Sequence, residues 1–458
     1  MKTLQADVLA LLMMPPPVHG ASAINQKMVQ HLENCGVPVT VLNTVPSRHA
    51  RWFDGPIWKL QRTLLILRVF AQVLLRTWQP PNSVYIGISG GAGLLLDCVL
   101  ALAIRGLRVP VVVHHHSFAY VSASSALFKR FCSLLSALPV THVVLCSEMG
   151  DQLCARYPAL ISPTQVHVLS NAAFFEGGSA RPDSADAITN LRVGYISNIT
   201  SEKGVRDVLA LFSRCREAGV KLEMTVAGPC ADESIRSELV AMSNGLEPFT
   251  YLGAVYGESK QQFFQSLDVL VFPTRYANEA EPLVIYEAAE QGVPTVANAR
   301  GCIASMVTRC GGWAVADDSL FVEQALLAIS ELQTETVRTE HRHQALTGSD
   351  YLRGSSRGAL EDLLKKMEAT VAQCLDRFKL PPDFRGRSAA WCQLWWLVQA
   401  CLFATSPQFM YAGAVFSAAA FGAKIGQGVI IRPRTVLIRG NCQSLITPGL
   451  AIMSIFIR

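Results

Sequence analysis

Glu279 and Glu287 stand seven residues apart within TRYANEAEPLVIYEAAEQGVPTVAN, the stretch Thr274–Asn298. Between them Glu281-Pro282 marks a turn, and VIYEAAEQ reads as a helix. Pro282 suits the first turn of that helix, where its missing N–H is no loss. The N–H groups of Leu283 and Val284 would then project from a helix start backed by the positive end of the dipole, a ready anion site. Glu279 precedes the helix and Glu287 lies about a turn and a half into it, so both carboxylates can face one pocket around the anion. A carboxylate accepts hydrogen bonds from two hydroxyls, a common way to hold a ribose or hexose. The local chemistry is that of a diphosphate with a sugar on each side. Taken alone, such a pair is ordinarily two surface glutamates on an amphipathic helix.

The surroundings reverse that. Glu279-Ala280-Glu281-Pro282-Leu283, then Glu287-Ala288-Ala289, then Gly292, Pro294 and Ala297 resemble the E-G-F-G/P-L-x-x-x-E-A-x-A-x-G-x-P-V-x-A signature of retaining nucleotide-sugar glycosyltransferases, family four. Ala280 and Glu281 depart from its glycine and aromatic residue. The resemblance implies an α/β fold of GT-B type, two doubly wound Rossmann-like domains facing a cleft. It also implies roles for matched residues. Lys203-Gly204 corresponds to the end of the "G-R-L-x-x-x-K-G" loop, in which Arg and Lys clamp the departing diphosphate. Asn198 fills the Arg position and brings a hydrogen-bond donor without charge. The histidine that touches the transferred sugar falls by position on His116, with His114 second. The loop bearing Gly20 would approach the donor phosphates or the acceptor.

Alternating strands and helices must position these groups. Asp7–Met14 is apolar enough for a buried parallel strand; a loop with His19-Gly20-Ala21-Ser22 and a helix ended by Gly36 follow. Further strands are expected at Val39–Leu42, Ser83–Ile88 and Val109–Val113, the last running into His114-His115-His116. Long helices are expected at Ile57–Trp78 and Leu94–Arg105. A strand at Val143–Leu145, a helix at Ser147–Tyr157 and a strand at Val166–Leu169 complete a first, acceptor-side domain over residues 1–170. A second, nucleotide-sugar-binding domain covers 171–376, with strands at Leu191–Ser197, Leu222–Ala227, Val269–Phe272, Thr295–Asn298 and Ala314–Val315. Gly228-Pro229 makes a turn where backbone can approach a ligand closely. Helices are expected at Leu320–Leu332 and Gly358–Cys374, one of which should cross back to the first domain.

Composition bounds the partners. Apolar residues make up 50% of the 458, charged residues 16%, and the net charge is +5; mean hydropathy is +0.28. Nothing resembles a basic, aromatic-interleaved nucleic-acid surface, so no nucleic-acid partner is expected. The apolar excess suggests contact with a membrane surface or with a missing partner. No run reaches the roughly 20 apolar residues of a spanning helix. The N-terminus imitates an export signal, but Asp7 and Pro15-Pro16-Pro17 interrupt it, and a cytoplasmic location is expected, peripheral to the inner face of the membrane if attached. The 13 cysteines include no C-x-x-C pair and no zinc spacing, so reduced thiols are expected. No metal is expected, because the histidines at a strand end offer at most two ligands with no carboxylate or Cys near.

After about Ala372 the character changes to Trp- and Phe-rich sequence ending in Ala423–Pro433, one Ile-Gly-x-Gly-Val unit. Residues 377–440 resemble the start of colanic-acid-type O-acetyltransferases, left-handed β-helices of hexapeptide repeats that need several coils; 441–458 resembles nothing in that family. No His follows His343, so the segment is expected to be an inactive, truncated acetyltransferase fragment. Trp395–Ala404 is open to two readings, an interfacial helix or one that packs on a β-helix.

The activity implied is transfer of a sugar from a nucleoside-diphosphate sugar to a glycan or lipid-linked acceptor in exopolysaccharide assembly, with no cofactor besides the donor. Glu279 would hold the donor sugar and Glu287 the ribose, while Lys203 and the helix start meet the charge that develops on the diphosphate. The alternatives are an inactive fusion that scaffolds a separate acetyltransferase and a nucleotide-sugar epimerase of the same fold.

Overall fold

Val8–Leu12 reads VLALL, and all five side chains are buried. A strand covered on both faces belongs in a parallel sheet with helices on either side. The computed structural model describes residues 7–16, 19–46, 55–177, 190–245 and 248–375. By contacts the chain divides into Met1–Gln373 and Cys374–Arg458. Both sheets lie in the first unit. The segments 377–440 and 441–458, with Trp395–Ala404, lie outside the described residues.

The first sheet takes β1 (Val8–Leu12), β2 (Val39–Asn43), β3 (Ser83–Ile88), β4 (Val111–His115), β5 (Val140–Val144) and β6 (Val166–Val168). Its helices are α1 (Gly20–Asn34), α2 (Pro56–Leu75), α3 (Leu94–Leu107), α4 (Ala119–Ser122), α5 (Ala126–Leu135) and α6 (Ser147–Arg156). The strand order is β2-β1-β3-β4-β5-β6, all parallel.

The second sheet takes β7 (Leu191–Ile196), β8 (Leu222–Ala227), β9 (Phe249–Tyr251), β10 (Val269–Phe272), β11 (Thr295–Asn298) and β12 (Trp313–Val315). Its helices are α7 (Val205–Glu217), α8 (Glu233–Ser243), α9 (Gly257–Gln265), α10 (Leu283–Ala289), α11 (Ile303–Arg309) and α12 (Phe321–Glu331). The order β12-β11-β10-β7-β8-β9 is again wholly parallel. Each sheet reverses its direction of winding once, between β1 and β3 and between β7 and β10. The loops at the carboxyl ends of those strands diverge and leave a crevice.

A single helix, α13 (Glu335–Leu375), follows. Its second half returns to the first sheet: Leu360, Leu363 and Met367 are buried with Val8, Ala10 and Leu12. Ala359 O accepts from His167 Nε2 at 2.8 Å, and Arg357 Nη2 donates to Phe175 O at 2.7 Å. The sequence marks only Gly358–Cys374 as helical, because the preceding part is polar and carries Gly348 and Gly354. Gly348 has a packing reason. A Cβ there would lie 2.2 Å from Arg309 O at the end of α11, so only glycine lets the two helices meet.

Candidate active site

At the winding reversal of the second sheet, the loop after β7 and the loop after β10 emerge side by side. Thr200 caps a turn of 3-10 helix, Ser201–Lys203, and Gly204 follows at φ +81°. A Cβ on Gly204 would fall 2.0 Å from Pro273 O, so glycine is what lets this loop lie on the β10 loop. Arg275 fixes the same contact, donating to both carboxylate oxygens of Asp207 at 2.8 and 2.7 Å. Its N–H donates to Glu202 O at 2.8 Å.

This packing brings Lys203 and Glu279 together. Lys203 Nζ donates to Glu279 Oε2, and Thr274 Oγ1 donates to the same oxygen at 3.1 Å. The Lys203 ammonium also lies 4.9 Å from the centre of the Tyr276 ring, where the face of the π system attracts a cation. Glu287, one face along α10, takes Lys260 Nζ of α9 on Oε1 at 2.7 Å. Its Oε2 is buried and has no protein hydrogen-bond partner among the described residues. Lys260 has no mark in the sequence, since one lysine in GESKQQFFQ looks like any solvated helix residue.

Pro282 is not inside the first turn of α10. With φ −70° and ψ 125° it is the extended residue that precedes the helix, and Leu283 begins it. Pro282 has no side chain able to cap, and none caps this helix start. Leu283 and Val284 are therefore the first two helical residues, both half-buried.

Glu281, two residues on from Glu279, is not at the cleft surface. It is buried, accepts from Asn171 N–H at 2.6 Å and Tyr286 Oη at 2.7 Å, and Tyr286 Oη shares a further bond of 2.6 Å with Ser170. Burial pushes its carboxyl up to about 7, against the pull of those hydrogen bonds. Ser170 and Asn171 follow the first domain's last strand, at the cap and first residue of a 3-10 turn, so Glu281 fastens the β10 loop to that domain. Two more links join loops at the carboxyl ends of the two sheets. Phe118 N–H donates to Asn278 O at 3.4 Å. Cys146, before α6, is disulfide-bonded to Cys302, before α11, with 5.9 Å between their Cα atoms. The expectation of reduced thiols fails for this pair.

The first domain contributes its own crevice. β4 ends at His115, so His114 and His116 point to one side and His115 to the other. His115 is core, with Nδ1 3.0 Å from Tyr120 Oη and Nε2 3.0 Å from His142 Nδ1. His114 Nδ1 lies 2.7 Å from Tyr85 Oη, and its Nε2 is buried without a partner among the described residues. The His116 ring centre is 4.0 Å from that of His114. His116 Nε2 meets Asn25 Oδ1 at 3.1 Å, and Asn25 Nδ2 donates to Met13 O. Oδ1 is then the acceptor, and His116 carries its proton on Nε2. Burial lowers the His116 imidazole to about 3, with His19 adding a like-charge contribution. His19 accepts from Ser22 N–H and caps α1, placing Gly20 at the first turn. A Cβ on Gly20 would lie 3.9 Å from Leu283 Cγ, so the two crevices face each other across this gap.

Two of the sequence-marked residues stand apart. Asn198, just after β7, is exposed and makes no described bond. Gly228, at the end of β8, has φ +124°, and a Cβ there would fall 1.8 Å from Ser197 O. It shapes the loop from behind. Among the described residues no group of three or more His, Cys, Asp or Glu is placed to hold a metal ion.

Residues 190–332 match the family model described as Glycosyl transferases group 1. A protein named as a glycosyltransferase, EpsF of Bacillus subtilis strain 168, is 25% identical over 215 residues, 43% of this chain and 53% of its own. A protein named as a colanic acid biosynthesis acetyltransferase, WcaF of Escherichia coli K12, is 52% identical over 61 residues, 13% of this chain and 34% of its own. The chain thus spans about a third to a half of the length of the curated relatives it matches. Among solved structures, Alr3699/HepE of Anabaena in complex with UDP superposes with a TM-score of 0.56 at 15% identity, over 79% of this chain and 99% of that one. That likeness gives the fold, two Rossmann-like domains of GT-B type.

Proposed function

We propose that the chain is a retaining glycosyltransferase that moves a sugar from a nucleoside-diphosphate sugar to a glycan or lipid-linked acceptor, in exopolysaccharide assembly. The observation that carries this reading is the meeting of Lys203 and Glu279 at the winding reversal of the second sheet, beside the uncapped start of α10. Open parallel sheets bind ligands at that place, and it lies within the stretch that matches the glycosyl transferase model.

In this reading the bond between the anomeric carbon and the diphosphate oxygen breaks, and negative charge grows on the diphosphate. Lys203 and the N–H groups of Leu283 and Val284 are fixed positive potential at that point and stabilise the transition state more than the ground state. Glu279 holds hydroxyls of the donor sugar once Lys203 turns to the phosphates. The unpartnered Oε2 of Glu287 accepts from the ribose. His116, neutral and with Nδ1 free to accept, meets the transferred sugar from the other domain. The Gly20 loop leaves room at the α10 start. Asn198, uncharged and exposed, adds hydrogen-bond donors but no positive charge. The acceptor hydroxyl forms the new bond to the anomeric carbon from the face the diphosphate leaves and passes its proton to the leaving phosphate, so configuration is retained and the reading needs no metal or further cofactor. UDP is the first nucleotide to try, since the HepE structure holds it. The likeness to WcaF, a protein named for colanic acid biosynthesis, favours polysaccharide assembly as the setting.

The test is release of nucleoside diphosphate from UDP-, GDP- and ADP-sugars in the presence of lipid-linked and glycan acceptors. Lys203→Ala and Glu279→Gln should each slow turnover by about 10²–10³-fold, the usual loss of a transition-state contact. Equal turnover in wild type and both variants would overturn the assignment.

A further inference from the structure

α2 has two apolar faces. Ile66, Val69 and Val73 are buried in the first domain's core, as a surface helix requires. Ile57, Leu60, Leu64, Leu67, Leu74 and Trp78 nonetheless lie open to solvent, at 63, 60, 57, 52, 41 and 87% exposure. With Ala71 they follow spacings of three and four without a break, so they form one stripe about 30 Å long. Leu95 and Leu102 of the neighbouring α3 are exposed as well. A contiguous apolar band of this kind marks a contact surface, whereas singly scattered exposed leucines do not.

The charge around the stripe says what it contacts. From Gly55 to Asn82 the chain carries Lys59, Arg62, Arg68 and Arg76 and no Asp or Glu. Lys59 and Arg68 are exposed, and Arg76 stands 3.8 Å from Asp7. A second copy packed on the same stripe would set these cations against their own equivalents. An anionic bilayer would meet them with opposite charge while it takes up the leucines and Trp78. We propose that the outer face of α2 binds the surface of a bilayer containing acidic phospholipid. No described helix is long and apolar enough to cross a membrane, so the attachment lies in the interface.

The start of α2 reaches the crevice. Arg62 Nη2 donates to Ser89 Oγ at 2.9 Å at the carboxyl end of β3, and Ser89 N–H donates to Asp97 at 2.8 Å. The helix that carries the bound face thereby touches the carboxyl end of β3, the end of the sheet that faces the crevice. This face gives the membrane contact expected from the composition a place, and its binding does not depend on sugar transfer. It is therefore measured without donor or acceptor, so failure of either shows separately.

The experiment is co-sedimentation of the full chain with vesicles of phosphatidylcholine plus phosphatidylglycerol, and with phosphatidylcholine alone. The wild type should sediment with the acidic vesicles, and far less at high salt. Leu64→Glu with Leu67→Glu should weaken the partition by at least about tenfold, and Arg68→Glu alone by several-fold, with the unfolding temperature unchanged. If the double variant lost its cooperative unfolding, Arg68→Glu would decide alone. Absent vesicle binding, or binding that none of these changes reduces, overturns the proposal. So does a wild-type dimer in light scattering that the double variant splits without any vesicle binding, which would give the stripe to a second copy.

Discussion

At the scale of single residues, the carboxylates beside Pro282 have different work. Glu279 faces Lys203 and the cleft, whereas Glu281 is turned inward onto Asn171 and Tyr286. Burial raises the folded-state Glu281 carboxyl from its ordinary 4.5 to about 7. Between those values the folded chain holds a proton that the unfolded chain has lost, so stability falls as pH rises through that window. Glu281→Gln keeps the hydrogen bonds of the neutral form and removes the titration. Urea unfolding at pH 5 and pH 8 should show wild type losing on the order of 2–3 kcal/mol more than the variant across that range. Equal losses would mean that Glu281 ionises at no cost. His116 gives a complementary expectation. Held near 3, it stays neutral at working pH, so turnover of His116→Ala should follow the wild-type pH profile in shape and differ in height. A limb near the ordinary histidine value that vanished in the variant would contradict the neutral assignment. The glutamate pair and Lys203 were legible because their spacing sits in a longer pattern. Lys260, Thr274 and Asn25 were not, since each acts through a partner 27, 5 or 91 residues away and has no local signature.

At the scale of elements, the short apolar runs gave the strands nearly to the residue: Ser83–Ile88, Leu222–Ala227, Val269–Phe272 and Thr295–Asn298 are found where hydrophobic pattern and flanking turns place them. The histidine strand is displaced by two residues, to Val111–His115, because His114 and His115 find buried partners and so continue the strand as apolar residues would. β9, α8 and α9 were not marked, their apolar faces being short and mixed. The glycines carry the loop geometry. At Gly228 both the positive φ and the 1.8 Å approach to Ser197 O exclude a side chain. Gly228→Ala should cost about 3 kcal/mol, read as a lowered unfolding temperature in calorimetry. An unchanged unfolding temperature would show that the β7 and β8 loops can separate freely.

At the scale of the whole molecule, the loops after β10 and β11 tie the second domain to the first, through Asn171–Glu281 and Phe118–Asn278 in the one and Cys146–Cys302 in the other. The disulfide spans 156 residues of sequence, and no spacing rule could pair those two among 13 cysteines. Mass spectrometry of the alkylated, unreduced protein should find the linked Cys146 and Cys302 peptides. Cys302→Ser should lower the unfolding temperature without reductant, where a long closed loop contributes up to about 5 kcal/mol, and match wild type with reductant present. Equal unfolding temperatures in both buffers would mean that the bond contributes nothing. The proposed function stands on a nucleotide-sugar site at the winding reversal of the second sheet. A thermal-shift series of the full chain with UDP-, GDP- and ADP-sugars, wild type beside Glu287→Ala, tests it most directly. One nucleotide class should raise the wild-type unfolding temperature with added ligand, as binding to the folded state requires, and leave Glu287→Ala unmoved. No shift with any nucleotide sugar, or an equal shift in the variant, would contradict the account.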